Sequence, residues 1–113
     1  MVESSLAPRL RRLAAVAALG REVRVATTFR ARLLGLAWLD LDQVGEGLLI
    51  PRCSSVHTFG MRFPLDIYFL QEGGEPFAVR RKIAPHRVVS CRRARAVLEI
   101  PSAKGGEFCA LRP

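Results

Sequence analysis

The stretch DIYFLQEGGEPFAVRRK, residues 66–82, decides how this chain folds. DIYFLQ (66–71) is apolar on both faces and rich in β-branched and aromatic side chains, which suits a strand covered from both sides. EGGE (72–75) follows, and Gly73 and Gly74 accept positive φ at little cost, so a tight reversal is expected there. PFAVRRK (76–82) then returns antiparallel. This hairpin commits the middle of the chain to β structure.

The flanks extend that reading. Upstream, Pro64 fixes its own φ and biases Phe63 towards extended geometry, which launches the strand, while Gly60 permits a tight bend. LLI (48–50) is a brief buried strand halted by Pro51. DLDQVGEG (40–47) is a loop. TFRARLLGLAWL (28–39) places Phe29, Leu33, Leu34 and Leu36 at helical spacing with Thr28 as N-cap. Gly35 weakens that helix by up to about 1 kcal/mol relative to alanine, so it should be short. EVRVAT (22–27) alternates, with Val23 and Val25 on one face. Downstream, RAVLEI (95–100) alternates and ends at Pro101. Many short strands with one or two short helices predict a mainly β fold, a small sandwich, jelly-roll-like or barrel-like domain over residues 21–113.

Residues 1–20 read as a separate helical extension. In LAPRLRRLAAVAALG (6–20), Leu6, Leu10, Leu13 and Ala17 share one helical face and Arg9, Arg12 and Arg21 lie elsewhere. The uncharged run from Leu13 to Gly20 is short for a secretion leader and Glu3 precedes it, so an amphipathic helix is the expectation. It is far too short to span a bilayer, and no transmembrane segment is expected.

Composition narrows the class. Of 113 residues, 50% are hydrophobic and 25% charged, a globular balance rather than a disordered one. Cys53, Cys91 and Cys109 are too few and too scattered for a disulfide framework, so reduced thiols and a cytoplasmic location are expected. A metal site drawn from Cys53, His57, His86 and Cys91 matches no tight finger or ribbon spacing, and no metal is expected. Gly73–Gly74 is a turn and Gly105–Gly106 sits near the end, so there is no glycine-rich phosphate loop and no cofactor is implied.

The motif HTFGMRFPLDIYFL (57–70), preceded by RLLGL and GLLI and followed by AVLEIP, resembles the bacterial and archaeal family called domain of unknown function 192, or uncharacterised protein family 0127. The resemblance runs from about Val23 to Pro113. It implies a compact, mainly β sandwich or jelly-roll fold and no particular reaction. Other branches carry a longer motif that lacks the histidine but keeps equivalents of Met61, Pro64 and Asp66. The family continues past a segment similar to ALRP into a Gly–Asp turn and a closing strand. This sequence stops at Pro113, so a missing or shortened closing strand and an exposed sheet edge are expected.

The candidate site follows from polar groups clustered in an otherwise apolar segment. His57, Thr58, Met61, Arg62 and Asp66 are read as a surface that binds a small ligand or a protein partner without catalysis, with His57 and Asp66 as its polar pair. A structural role for Asp66, accepting from nearby turn N–H groups, is the competing reading. An enzyme reading would join Cys53, His57 and Asp66 as nucleophile, base and orienting acid, but nothing supplies an oxyanion hole.

Charge supports a rival class. The net charge is +8, and residues 80–95 hold seven basic residues and no acid: Arg80, Arg81, Lys82, Arg87, Arg92, Arg93 and Arg95. Such a patch could hold nucleic acid or another anionic partner nonspecifically. No aromatic residue interrupts it, and no helix–turn–helix, finger or RNA-stacking motif is present. Sixteen of the eighteen basic residues are arginine, a bias that genome composition produces as readily as selection for binding.

Overall fold

The computed structural model describes residues 6–105. In chain order its elements are α1 (Pro8–Arg11), β1 (Ala15–Ala18), β2 (Arg21–Val25), α2 (Phe29–Leu34), a 3-10 turn (Leu41–Gln43), β3 (Leu48–Pro51), β4 (Ser55–His57), β5 (Leu65–Leu70), β6 (Pro76–Ile83), β7 (Val88–Ser90), β8 (Ala96–Pro101) and α3 (Ser102–Gly105). Six strands form one sheet in the order β1-β2-β3-β8-β5-β6, and β4 pairs with β7 in a second. All pairings are antiparallel except β2 with β3. The fold is mainly β and the large sheet stays open, with β1 and β6 at its edges, so the barrel-like alternative is not adopted.

The expected hairpin is β5–β6. All six residues of β5 are buried, because β8 covers one edge, β6 the other, and apolar clusters both faces. Of the two turn glycines only Gly74 needs positive φ (91°). Its N–H donates to the Gln71 carbonyl at 2.8 Å and closes the reversal.

The sheet has two buried faces. On one, Leu48, Ile50, Leu65, Ile67, Phe69 and Val97 pack against α1, the segment after α2, and Val56 and Val89 of the small sheet. On the other, Val23, Tyr68, Leu70, Leu98 and Ile100 form a second cluster. The first face carries the candidate site.

One expectation is corrected. The helical extension over residues 1–20 is a single turn, α1, followed by a strand; residues 1–5 lie outside the described residues. Leu19 and Gly20 both have positive φ (51° and 76°), a two-residue reversal that sets Ala15–Ala18 against Arg21–Arg24. Alanine favours helix by propensity, but cross-strand pairing outweighs that preference. The helical apolar stripe is also not wholly inward. Thr28 caps α2 as expected, its hydroxyl accepting from the Ala31 N–H at 3.0 Å, and Leu36 is fully buried. Phe29, however, is 80% exposed and Leu33 54%. The helix ends at Gly35, whose φ of 53° turns the chain before a longer face can dock.

The expectation of a missing or shortened closing strand concerns residues 106–113, which with Cys109 lie outside the described residues. Among the described residues no helix is long and apolar enough to cross a membrane.

Candidate functional site

The sequence-derived site does not assemble as one surface. Asp66 faces the second cluster's side of the sheet, at a bulge where Arg81 and Lys82 together oppose it. Its Oδ1 accepts from the Lys82 N–H at 2.9 Å and from Ser102 Oγ at 2.7 Å, and its Oδ2 accepts from Arg81 Nη1 at 3.2 Å. The carboxylate satisfies the extra N–H of the bulge, where Lys82 holds a φ of 54°. It also pins the start of α3, and a Cβ at Gly105 would collide with it. Asp66 therefore has a complete set of internal partners.

Thr58 is fully buried; its hydroxyl donates to the Ala84 carbonyl at 2.7 Å and accepts from the Arg87 N–H at 2.8 Å, closing the 84–87 loop. Met61 is core. Arg62 pairs with Asp40 at 2.7 Å on the exposed surface. Among the described residues no hydrogen bond or ion pair joins the side chain of Asp66, Thr58 or Arg62 to His57.

His57 borders a different region. Its Nδ1 accepts from the Phe59 N–H at 3.2 Å, so Nε2 carries the proton and donates to the Leu33 carbonyl at 3.0 Å. The ring ties β4 to the last turn of α2. It also meets the Phe59 ring at 5.5 Å between centroids, and Phe59 meets His86 at 5.9 Å. Cys53 Sγ donates to the Ser55 carbonyl at 3.2 Å. With both nitrogens of His57 engaged and Asp66 held elsewhere, the Cys53–His57–Asp66 relay is not assembled.

Between α2, β4 and β8 lies a cavity of about 470 Å³, bordered by Phe29, Leu33, His57, Phe59 and Val88 with Glu99 at its floor. The size falls within the range of small-molecule sites. Its mouth is apolar and open: Val88 is 64% exposed, and Phe29, Leu33 and Phe59 are exposed too. Its floor is the middle of the sheet. Glu99 stands in β8 opposite Leu48 of β3 and Ile67 of β5, on the same face as Val97.

Glu99 is only 3% exposed. Among the described residues its carboxyl has no hydrogen-bond or ion-pair partner. Burial alone pushes its pKa up to about 8, since desolvation penalises the charged form and nothing nearby compensates. Gly35 makes room for it: a Cβ there would stand 3.3 Å from Oε1, in a backbone conformation that already favours glycine. Leaving such a group without a partner costs on the order of 1–3 kcal/mol.

The sequence reading passed over Glu99 as one position in an alternating strand. A signal was available: in AVLEIP both faces are apolar, through Val97 on one and Leu98 and Ile100 on the other. A carboxyl there has no solvent face to turn to.

The basic residues are exposed but not gathered into one patch. Arg80, Arg81 and Lys82 lie on the edge strand β6, with Arg81 bent onto Asp66 and 5.8 Å from the Tyr68 ring centroid. Arg87 precedes β7, and Arg92, Arg93 and Arg95 occupy the turn before β8. Arg93 and Arg95 border a second groove with Phe77 and Glu72. Among the described residues no group of three or more His, Cys, Asp or Glu side chains could hold a metal ion.

Comparison with known proteins agrees with this fold. Residues 13–108 match the model of domain of unknown function 192, a family described as uncharacterized. No curated protein matches the chain significantly. Two solved structures share the architecture. One is a protein of unknown function from Novosphingobium aromaticivorans, 21% identical over 86% of this chain and 74% of that one, with a TM-score of 0.59. The other, from Sinorhizobium meliloti, is provisionally described as a transcription regulator; it is 21% identical over 88% of this chain and 84% of that one, with a TM-score of 0.65. At that identity the likeness is one of fold.

Proposed function

This chain belongs to the domain of unknown function 192 family, and from its cavity we infer that it is a ligand-binding domain for a small, mainly apolar molecule. One observation carries the reading: a buried Glu99 carboxyl, without a partner among the described residues, forms the floor of an open apolar cavity. A protein keeps a desolvated polar group at a cost, and such groups concentrate at functional sites. The exposed Phe29, Leu33, Phe59 and Val88 supply the apolar surface that a ligand would cover. His57 contributes as a wall and a brace. With its nitrogens committed and no nucleophile–base pair at hand among the described residues, the arrangement favours binding over turnover.

The test is titration with a small aromatic probe, toluene, followed by backbone amide shifts. Shifts confined to α2, β4, β7 and β8, and abolished by Val88→Trp, support the site. Shifts centred on Asp66 and Arg62, or none at all, would overturn it.

A second reading has its own observation. The exposed Arg93 and Arg95 flank Phe77, which joins an aromatic ring to basic groups in a groove of about 400 Å³. With a net charge of +8, that supports contact with an anionic partner such as nucleic acid, and the provisional description of the Sinorhizobium protein points the same way. Glu72 in the same groove counts against it. Cys53 and Cys91 are free thiols, which supports a cytoplasmic location.

A further inference from the structure

We propose that the cavity ligand is a hydrophobic amine, whose ammonium head pairs with Glu99 while its aromatic or branched aliphatic body lies among Phe29, Leu33, Phe59 and Val88. The proposal rests on the ligand-binding reading above and names the chemistry of what binds.

The polar inventory of the cavity leads to it. Ser55 Oγ is bonded to Ser90 Oγ at 2.7 Å. The Arg32 guanidinium donates to the carbonyls of Pro51 and Arg52. Cys53 donates to Ser55, and both His57 nitrogens are taken. Among the described residues that border the cavity, Glu99 is left as the polar side chain without an internal partner. A ligand therefore meets one carboxyl at the floor and hydrocarbon around it.

Three ligand classes can be ranked against that surface. An anion would give up its hydration in a cavity that offers it no unengaged counter-charge, and would be repelled once the carboxyl ionises. A neutral alcohol or amide makes an ordinary hydrogen bond. An ammonium makes a charge-assisted one, roughly twice as strong, and supplies the missing counter-charge. The exposed rings of Phe29 and Phe59 at the mouth also favour a cation on entry.

The positive charge of the chain does not decide against this. Repulsion between exposed charges is screened within about 8 Å at physiological salt. The charged or titratable side chains bordering the cavity are Arg32 from α2, Cys53 before β4 and His57 in β4. Arg32 is turned to the Pro51 and Arg52 carbonyls. The neighbouring strands present Leu48 and Ile67 opposite Glu99.

The exchange balances in protons. The empty cavity holds a neutral acid, because burial pushes Glu99 up to about 8. An ammonium ion enters, the carboxyl proton leaves to solvent, and the carboxylate–ammonium pair remains. Binding should then release a proton below that pH.

The experiment is calorimetric titration of the full chain with benzylamine, benzyl alcohol and toluene at pH 6 and pH 7.5. Benzylamine is expected to bind tightest, with affinity rising by up to about tenfold per pH unit over this interval, and toluene to show no pH dependence. Glu99→Gln should lower benzylamine affinity by about tenfold or more while toluene binding persists. Val88→Trp, which leaves Glu99 untouched, should abolish binding of all three. If benzyl alcohol binds as tightly as benzylamine, or benzylamine shows no pH dependence, while toluene still binds, the amine assignment is overturned and the cavity reading stands. If none of the three binds, the cavity reading falls, and this proposal with it.

Discussion

His57 Nε2 donates to the Leu33 carbonyl at 3.0 Å, so one ring joins the small sheet to the last turn of α2 across the cavity mouth. The same ring accepts the Phe59 N–H, which fixes its tautomer and aims Phe59 towards the opening. His57→Ala removes both bonds at a half-exposed position and should lower stability by about 1–2 kcal/mol. Urea unfolding measures that loss. The same variant should bind toluene more weakly, since the brace on α2 is gone.

Asp66 is expected to matter for folding and not for the ligand. Asp66→Ala strands the Lys82 N–H, Ser102 Oγ and the Arg81 guanidinium together, a loss of about 2–4 kcal/mol. Denaturation curves check the stability. Probe binding per folded molecule should be unchanged, and a folded variant that loses the probe would return Asp66 to the site.

Glu99 makes stability pH-dependent in a definite direction. Its folded pKa, about 8, lies above the ordinary value of 4.5. Between those values the folded chain holds a proton that the unfolded chain has released, so raising pH favours unfolding. The contribution is fully present below about pH 4.5 and is lost as pH climbs to about 8, at up to about 1.4 kcal/mol per pH unit. Glu99→Gln cannot ionise. It should match the parent near pH 5 and exceed it by at least about 2 kcal/mol at pH 8, read from urea midpoints at each pH.

Gly35→Ala tests the packing above that carboxyl. The φ of 53° is strained for any side chain, and the new Cβ would stand 3.3 Å from Glu99 Oε1. A loss of about 1–2 kcal/mol is expected in thermal or urea unfolding. Combined with Glu99→Ala, the steric part of the loss should shrink, which a double-mutant cycle would detect.

Replacing Arg92, Arg93 and Arg95 with Gln should change stability by less than about 0.5 kcal/mol, because all three side chains are exposed. Toluene binding should be unaffected. Polyanion binding measured across a salt series should weaken and flatten only if the anionic-partner reading holds.

Much of the fold was legible because its signals are local. Four consecutive apolar residues, Ile67–Leu70, with paired glycines two residues further on could hardly be anything but a central strand and its turn. Thr28 announces a helix start through its own hydroxyl, and Pro101 closes a strand through its missing N–H. The N-terminal reading failed for a matching reason. Leu6, Leu10 and Leu13 do share a helical face, but the Leu19–Gly20 reversal brings Arg21–Arg24 beside Ala15–Ala18, and pairing outweighs alanine's helical preference. The site was less legible. His57 borders the cavity, yet Asp66, nine positions on, belongs to a bulge on the other face of the large sheet. Nearness in the chain gave them a common setting that the strands do not share.

What the sequence by itself determined is the central hairpin, the strands near 22–27, 48–50 and 95–100 and the start of α2, since propensity, alternation and turn chemistry act over a few residues. Only the tertiary structure decided that, among the described residues, Glu99 has no partner. Its isolation depends on Leu48 and Ile67 from two strands distant in sequence, and on a glycine at position 35 that leaves space above it. A carboxyl stays unpaired when no neighbour offers it a bond, and that is a property of the assembled sheet rather than of any stretch of chain.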